Sequence, residues 1–262
     1  MTDSHAFVVA GGRRLEYRWI GPRGDEAPTL VFLHEGLGSA SLWRDFPDRL
    51  AAATGCGALV YSRAGYGRSD PIDLPRPVAF MHHEAAVLAE VLERTCVVDP
   101  VLVGHSDGAS IAIIYAGSDA GPRPRALLLE APHVFTEPHG LAGIAAIRET
   151  YATTGLRERL ARHHRHVDVA FRGWNDVWLD PDFRAWNIEA YLPRIAAPVL
   201  VVQGEDDEYG TWAQVDAIRA GTGGRVEVLA VPACGHAPHR EHPDVVLAAM
   251  ARFVRALAPP PP

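Results

Sequence analysis

Cysteine is scarce in this sequence, and its pattern excludes two kinds of cross-link. The chain has three cysteines, Cys56, Cys96 and Cys234, which are odd in number and far apart. A scattered, odd set does not form a disulfide framework, and no pair has the short spacing of a cysteine metal site. A reducing cytoplasm is therefore the expected setting.

Long hydrophobic runs and an excess of positive charge are also lacking. No apolar run approaches the roughly 20 residues that a helix needs to span a bilayer, and residues 1–14 lack the basic-then-apolar order of a signal peptide. The 25 basic residues are outnumbered by 32 acidic ones, for a net charge of −7. This balance disfavours nucleic acid and anionic membranes as partners, because both bind basic surfaces. We expect a small-molecule ligand, and a homodimer is compatible with these features.

Eight short apolar runs predict β-strands, and helix-like stretches alternate with most of them. The first two runs flank Gly11-Gly12 and predict a hairpin, whereas the other six are continuous, as in strands buried on both faces. Apolar residues at helical spacing follow several of the runs. This alternation predicts an α/β domain with a mostly parallel eight-stranded sheet and helices on both faces. The strand-like runs are 7–10, 15–20, 29–34, 58–62, 100–105, 126–131, 198–204 and 226–232, and the helical stretches are 81–95, 106–116, 211–220 and 243–257.

The alternation is interrupted once, between residues 133 and 194. This segment has no strand-like run, and its patterns predict helices at 140–153 and 156–167, followed by an aromatic-rich stretch at 171–186. We interpret it as a helical insertion, a cap of residues 133–194 on a core formed by 1–132 and 195–262. The proline-rich residues 258–262 are expected to be disordered.

The pentapeptide GHSDG at residues 104–108 carries the main chemical signal. It fits the pattern G-x-S-x-G, directly after a predicted strand and directly before a predicted helix, which is the context of a nucleophile elbow. The two glycines leave room for a sharp turn that exposes the hydroxyl of Ser106. The start of the helix would favour negative charge developing beside that hydroxyl.

A nucleophilic serine needs a base, and position selects one of the 13 histidines. His236 follows the last predicted strand, so it reaches the carboxyl edge of the sheet, where Ser106 also lies. His239 and His242 fall toward the following helix and are expected to be surface histidines.

The base in turn needs a carboxylate, for which three candidates remain. Asp207 and Asp206 both follow the strand that ends at Gly204, and Asp207 is preferred. Glu130 ends a different strand and is a rival. An oxyanion hole is expected from the glycine-rich loop HEGLGS at residues 34–39 together with the backbone N–H of Asp107.

Four motifs in this order resemble the α/β-hydrolase family, in the branch of small esterases and C–C hydrolases. They are HEGLGS, GHSDG, GEDDEYG at 204–210 and CGHAPHREHP at 234–243, accompanied by SRAGYGRSD at 62–70. The resemblance covers nearly the whole chain and implies a catalytic order of Ser106, Asp207 and His236. It also implies Gly36 as the second oxyanion donor and a cap that selects the substrate.

Two residues depart from the family pattern. Glu35 stands where the family commonly has glycine, and its carboxylate either repels anionic substrates or, as we expect, braces the loop. Asp107 follows the nucleophile where relatives often carry an apolar residue. An amino-ester hydrolase branch has a similar SDG pattern, but we expect the side chain of Asp107 to turn toward solvent or a helix N-terminus.

The expected activity is that of a cofactor-free serine hydrolase acting on a small carboxylic ester. C–C hydrolase, lactonase and thioesterase activity would use the same triad, and a lyase or a ligand receptor on this fold is the remaining class. Glu35, Trp174 and Trp178 are candidates for substrate binding, with Trp186 as a further aromatic neighbour. No metal site is expected at His163, His164 and His166, because successive histidines on a helix point to different faces.

Overall fold

Eight strands form one sheet in the computed structural model, which describes residues 6–23 and 27–257. Their spatial order is β1-β2-β4-β3-β5-β6-β7-β8. β1 and β2 pair antiparallel with each other, β2 also pairs antiparallel with β4, and the remaining pairs are parallel. The strands are β1 Ala6–Ala10, β2 Arg13–Ile20, β3 Thr29–Leu33, β4 Gly57–Tyr61, β5 Pro100–His105, β6 Ala126–Glu130, β7 Val199–Gly204 and β8 Val226–Val231.

Helices cover both faces of this sheet. They are α1 Phe46–Thr54, α2 Phe80–Arg94, α3 Asp107–Ala116, α4 Pro138–Thr153, α5 Leu156–Ala161, α6 Val167–Trp178, α7 Trp212–Gly221, α8 Pro238–Glu241 and α9 Pro243–Arg255. Successive strand residues point to opposite faces, so Leu30 of β3 packs with α1 and α9, whereas Val31 packs with α2, α3 and α7. The mostly parallel eight-stranded sheet with helices on both faces, expected from the sequence, is thereby confirmed.

The segment 133–194, between β6 and β7, contains α4, α5 and α6 and several short 3-10 turns. It contains no strand, and a single isolated bridge joins Phe135 to Asn187. The proline-rich tail 258–262 lies outside the described residues.

The helix predicted at 156–167 is too long, because α5 ends at Ala161. Tertiary contacts hold the next residues out of a helix: Nδ1 of His164 accepts the Gly67 N–H at 3.0 Å, and its Nε2 donates to the Leu37 carbonyl at 2.9 Å. Arg165 N–H also donates to the Gly67 carbonyl at 2.8 Å. A helical pattern in the sequence does not reveal such cross-chain bonds.

The aromatic-rich stretch that follows is largely helical, which was not predicted. In α6, Ala170, Phe171, Trp174, Val177 and Trp178 are buried. Their spacing of three and four residues places them on one face of the helix. This face places Trp174 against Gly36 of the loop after β3 and Trp178 within hydrogen-bonding distance of Asp107 at the start of α3.

Candidate active site

Ser106 lies in a sharp turn between β5 and α3, with a φ of +53° and a ψ of −118°. This backbone conformation is costly for any residue other than glycine and persists only where the surroundings enforce it. The flanking glycines are required by close packing. A Cβ on Gly104 would come within 2.5 Å of the Gly108 carbonyl, and one on Gly108 would overlap the Leu33 carbonyl.

The structure brings Ser106, His236 and Asp207 into one chain of hydrogen bonds. His236 Nε2 is 2.9 Å from Ser106 Oγ, and His236 Nδ1 is 2.9 Å from both carboxylate oxygens of Asp207. Ser106 and Asp207 are buried, with 7% and 8% exposure. The loops after β5, β7 and β8 supply the three residues, so all three lie at the carboxyl edge of the parallel strands.

Asp207 is held as a carboxylate by several donors. Its Oδ1 accepts the N–H groups of Tyr209 at 2.8 Å and Gly210 at 3.1 Å, and its Oδ2 accepts from Gln203 Nε2 at 2.8 Å. Burial alone would raise the pKa of Asp207, but His236 and the hydrogen bond from the Tyr209 N–H lower it below its ordinary value. Asp207 therefore remains charged beside the imidazole at neutral pH.

The two rival carboxylates occupy other environments. The Asp206 side chain is exposed and makes no hydrogen bond with the described residues. Glu130 is fully buried and accepts from His239 Nδ1 at 2.9 Å, not from His236. Burial opposes ionisation of Glu130, but His239 and its hydrogen bonds lower the pKa of this carboxyl below the ordinary value.

The expectation that His239 lies on the surface is wrong. The residue is 4% exposed, and its ring packs 4.7 Å from Trp43 and 5.5 Å from Phe46, measured between ring centroids. The short helix α8 turns His239 inward, where its Nδ1 donates to Glu130. His242 is half-buried, and its Nε2 lies 3.1 Å from the Ala233 carbonyl.

Glu35 makes contacts that fix the loop after β3. Its carboxylate accepts from Arg240 Nη2 at 3.0 Å and lies 3.6 Å from His105 Nδ1. A Cβ on Gly38 would overlap this carboxylate, so glycine is needed there. Burial alone would raise the pKa of the Glu35 carboxyl, but His105 and Arg240 lower it well below its ordinary value.

Asp107 is placed differently from the expectation. Its side chain is fully buried rather than turned toward solvent or a helix N-terminus, so that expectation is wrong. Oδ1 accepts from Trp178 Nε1 at 3.0 Å, and Oδ2 lies 3.8 Å from Arg63 Nη2. Burial raises the pKa of Asp107 despite the nearby arginines. The sequence did not reveal this contact because Trp178 is 71 residues away.

Two backbone N–H groups beside Ser106 are free to bind an anion. Those of Gly36 and Asp107 donate to no acceptor within 6–23 and 27–257. Asp107 is the next residue after Ser106, and Gly36 lines the same pocket as the hydroxyl. A Cβ on Gly36 would overlap the Trp174 indole, so only glycine allows this loop and α6 to approach so closely.

A pocket with about 500 Å³ of empty space, including its open mouth, lies over Ser106. Glu35, Trp174 and Trp178, the candidates for substrate binding, all line it, whereas Trp186 stacks on Phe183 with ring centroids 5.3 Å apart. The remaining lining residues were not predicted from the sequence. They are Leu37, His133, Ile144, Ile147 and Tyr209.

Two of the missed residues had a usable signal. His133 follows β6 and Tyr209 follows β7, so both come from the same sheet edge as Ser106. The two isoleucines lie on α4, and nothing in the sequence indicates how that helix is placed.

Other candidate groups have structural partners. His163 is bonded to Ser41 Oγ at 2.9 Å, and the part of the chain that the structure describes contains no trio of histidine, cysteine or acidic residues able to hold a metal ion. Burial raises the pKa of Cys234 to about 12, so this thiol is not an activated nucleophile. Among the described helices, none is long and apolar enough to cross a bilayer.

Known proteins similar to this chain agree with the fold. The model of the alpha/beta hydrolase family matches residues 30–249. A relative from Pseudomonas savastanoi pv. phaseolicola, RutD, assigned provisionally as a carbamate hydrolase, is 29% identical over 214 residues, which are 72% of this chain and 79% of the relative.

Two solved structures share the fold at low sequence identity. An esterase from Exiguobacterium antarcticum superimposes with a TM-score of 0.77 at 20% identity, covering 97% of this chain and 100% of that one. An enol-lactonase from Burkholderia xenovorans LB400 gives a TM-score of 0.72 at 20% identity, covering 95% and 99%. On the extent of the family match, the chain belongs to the alpha/beta hydrolase family.

Proposed function

We propose that this protein is a serine hydrolase that cleaves a small carboxylic ester through a covalent acyl-enzyme. The observation that carries the proposal is the unbroken hydrogen-bond chain from Ser106 Oγ through His236 to Asp207. Serine is a weak nucleophile by itself, and an adjacent base oriented by a third group activates it.

In the first half-reaction, Ser106 Oγ attacks the ester carbonyl and His236 Nε2 takes the hydroxyl proton. Asp207 keeps the other proton of the ring on Nδ1 and stabilises the imidazolium that forms. The tetrahedral intermediate then collapses. His236 gives its proton to the leaving alkoxide, so that an alcohol departs and an acyl-serine ester remains.

In the second half-reaction, the same groups act on water. His236 Nε2 removes a proton from a water molecule, whose oxygen attacks the acyl carbonyl. Collapse of the second intermediate returns the proton to Ser106 Oγ and releases the carboxylic acid. The free N–H groups of Gly36 and Asp107 bind the oxyanion in both halves, and one such donor contributes about 3 to 4 kcal/mol to transition-state stabilisation.

Residues 133–194 act as the cap in this proposal. Ile144 and Ile147 of α4 and Trp174 and Trp178 of α6 line the pocket above Ser106. An apolar roof of this kind favours a small substrate with hydrocarbon or aromatic parts. Glu35 is engaged with Arg240, so we assign it to bracing the loop that presents Gly36.

Labelling with a fluorophosphonate tests the proposal. The wild type should gain one phosphonyl group, and Ser106→Ala should gain none. Ser118→Ala is the matched control. Ser118 lies just beyond the C-terminal end of α3, whereas Ser106 directly precedes its N-terminus, so this variant should label like the wild type. Equal labelling of wild type and Ser106→Ala would refute the assignment.

A carbamate is the second candidate substrate, because the relative RutD is assigned to that class. The same acyl-enzyme chemistry would apply to it. Comparing kcat/KM for an aryl ester, the matching aryl carbamate and a lactone decides between the classes. A carbamate preference would replace the ester in the proposal and leave the triad in place.

A further inference from the structure

His133 is a buried polar side chain in the pocket wall whose ring has no hydrogen-bond partner. The residue is 5% exposed and lines the pocket beside Ser106 and His236. Neither of its ring nitrogens bonds to any residue that the structure describes, whereas the buried rings of His34 and His105 both bond to backbone carbonyls. Buried polar groups are nearly always paired, so an unpaired one at a ligand pocket calls for a partner from the ligand.

The ring is fixed in place by packing. It lies 5.5 Å from the Trp178 ring and 5.6 Å from the His236 ring, measured between centroids. The backbone is held by Ser110 Oγ, which donates to the His133 carbonyl at 2.6 Å. A Cβ on Gly210 would stand 3.1 Å from the ring, so the turn after Asp207 also confines it. The imidazole is therefore preorganised next to the reacting groups.

The charge state of this ring limits what it can do. Burial, and then the neighbouring His236, lower the pKa of His133 to about 3. The ring is neutral at physiological pH and does not compete with His236 for the proton of Ser106. A neutral imidazole offers one N–H donor and one nitrogen acceptor.

The rest of the wall offers few alternatives. Leu37, Ile144 and Ile147 contribute apolar surface, and the carboxylate of Glu35 is already bound to Arg240. The other polar side-chain groups of the wall without a partner among the described residues are the Tyr209 hydroxyl and the indole N–H of Trp174, and the indole only donates. A substrate that is hydrocarbon throughout would displace water from the nitrogens of His133 without replacing its hydrogen bonds, which is unfavourable.

We propose that His133 hydrogen-bonds an oxygen or nitrogen atom of the substrate close to the scissile carbonyl. The preferred substrates of this hydrolase are then small esters with a polar atom in the acyl or alcohol chain, rather than simple hydrocarbon esters. The inference rests on the proposed function, because it names a substrate class for the same site.

Isosteric esters test it directly. On the acyl side, para-nitrophenyl methoxyacetate is compared with para-nitrophenyl butyrate, since an ether oxygen replaces one methylene. On the alcohol side, methoxyethyl acetate is compared with butyl acetate. The ratio of kcat/KM within each pair is measured for the wild type and each variant, so that the intrinsic reactivity of the esters cancels.

The central variant is His133→Phe, which keeps an aromatic ring against Trp178 and removes the hydrogen-bonding atoms. In at least one pair, kcat/KM for the ether ester should fall about 5- to 10-fold more than for its hydrocarbon partner. His133→Gln keeps a donor and an acceptor and should retain the preference. Ile147→Val, an apolar change in the same wall, should affect both members of each pair equally. The acid limb of the pH profile should stay in place in His133→Phe, because the ring is not the base.

If the ratio of kcat/KM between ether and hydrocarbon esters is unchanged in both pairs for His133→Phe, the proposal is overturned. It is also overturned if His133→Gln lowers kcat/KM equally for both members of each pair, which would indicate a structural role. Neither result affects the serine mechanism, which is tested separately. Residual turnover in Ser106→Ala equal to that of the wild type would overturn the proposed function instead.

Discussion

Replacing Asp207 by asparagine should nearly abolish turnover while leaving the site assembled. The N–H groups of Tyr209 and Gly210 both donate to Oδ1, so they hold the new amide oxygen at that position. The amide nitrogen then takes the Oδ2 position, 2.9 Å from His236 Nδ1, and donates a hydrogen bond to it. The Gln203 amide, whose Nε2 donates to Oδ2 in the wild type, turns over to present its oxygen to the new amide nitrogen. His236 must carry its proton on Nε2 in that arrangement, where it faces Ser106 and is unable to accept the hydroxyl proton.

The size of the effect follows from two losses, which are the His236 tautomer with its proton on Nδ1 and the negative charge of Asp207 that stabilises the imidazolium. A change of this kind in a serine–histidine–aspartate triad lowers kcat by about 10⁴-fold, or about 5 kcal/mol of transition-state stabilisation. The assay is kcat with a saturating para-nitrophenyl ester at neutral pH, together with circular dichroism to show that the variant is folded.

Two matched variants make the test sharp. Asp206→Asn alters an exposed carboxylate next in the chain and should change kcat by less than about twofold. Glu130→Gln should leave most of the activity, because Glu130 bonds to His239 rather than His236. A loss in either variant as large as that of Asp207→Asn would refute the assignment of the acid.

Three further predictions concern the surroundings of the site. Trp178→Phe removes the donor to the buried Asp107 carboxylate and should lower the free energy of unfolding by about 1 to 3 kcal/mol, measured by urea denaturation; unchanged stability would contradict the burial argument. Glu35→Gln weakens the brace on the Gly36 loop and should slow fluorophosphonate labelling about tenfold, and an unaltered rate would show that the loop holds without it. Glu130→Gln should cost about 2 kcal/mol at neutral pH. Because the pKa of Glu130 is lowered in the folded state, its contribution is present above the ordinary carboxyl pKa and fades as the pH falls below about 4. Urea denaturation of the wild type and Glu130→Gln at several pH values checks this. A difference in free energy of unfolding between the two proteins that does not vary with pH would count against it.

Most of the fold was predictable because its signals are local. Strands buried on both faces need continuous branched apolar residues, as in β5 and β7, and all six parallel strands were found within about two residues of their bounds. The triad candidates were predictable for a related reason. Residues that directly follow parallel strands meet at one edge of the sheet, so Ser106, Asp207 and His236 could be grouped without coordinates.

The errors share one cause, which is contact between residues distant in the chain. His239 follows a loop that reads as exposed, but Glu130 lies 109 positions earlier and pairs with it inside the protein. The end of α5 is set by bonds from His164 to Gly67 and Leu37. Local pattern carries no information about such partners, and tertiary bonds override helix propensity where they satisfy buried polar groups.

The sequence by itself determined the alternation of strands and helices, the strained turn at Ser106 and the chain order of the catalytic candidates, because each depends on neighbours in the chain. Only the tertiary structure decided which carboxylate bonds to His236 and which groups bond to the side chains of Asp107 and Glu35. It also decided that His133 lines the pocket without a hydrogen-bond partner for its ring among the described residues. These outcomes depend on how the segment 133–194 and the loop after β3 pack over the sheet, and the direction of a buried side chain is set by the partners that this packing brings within reach.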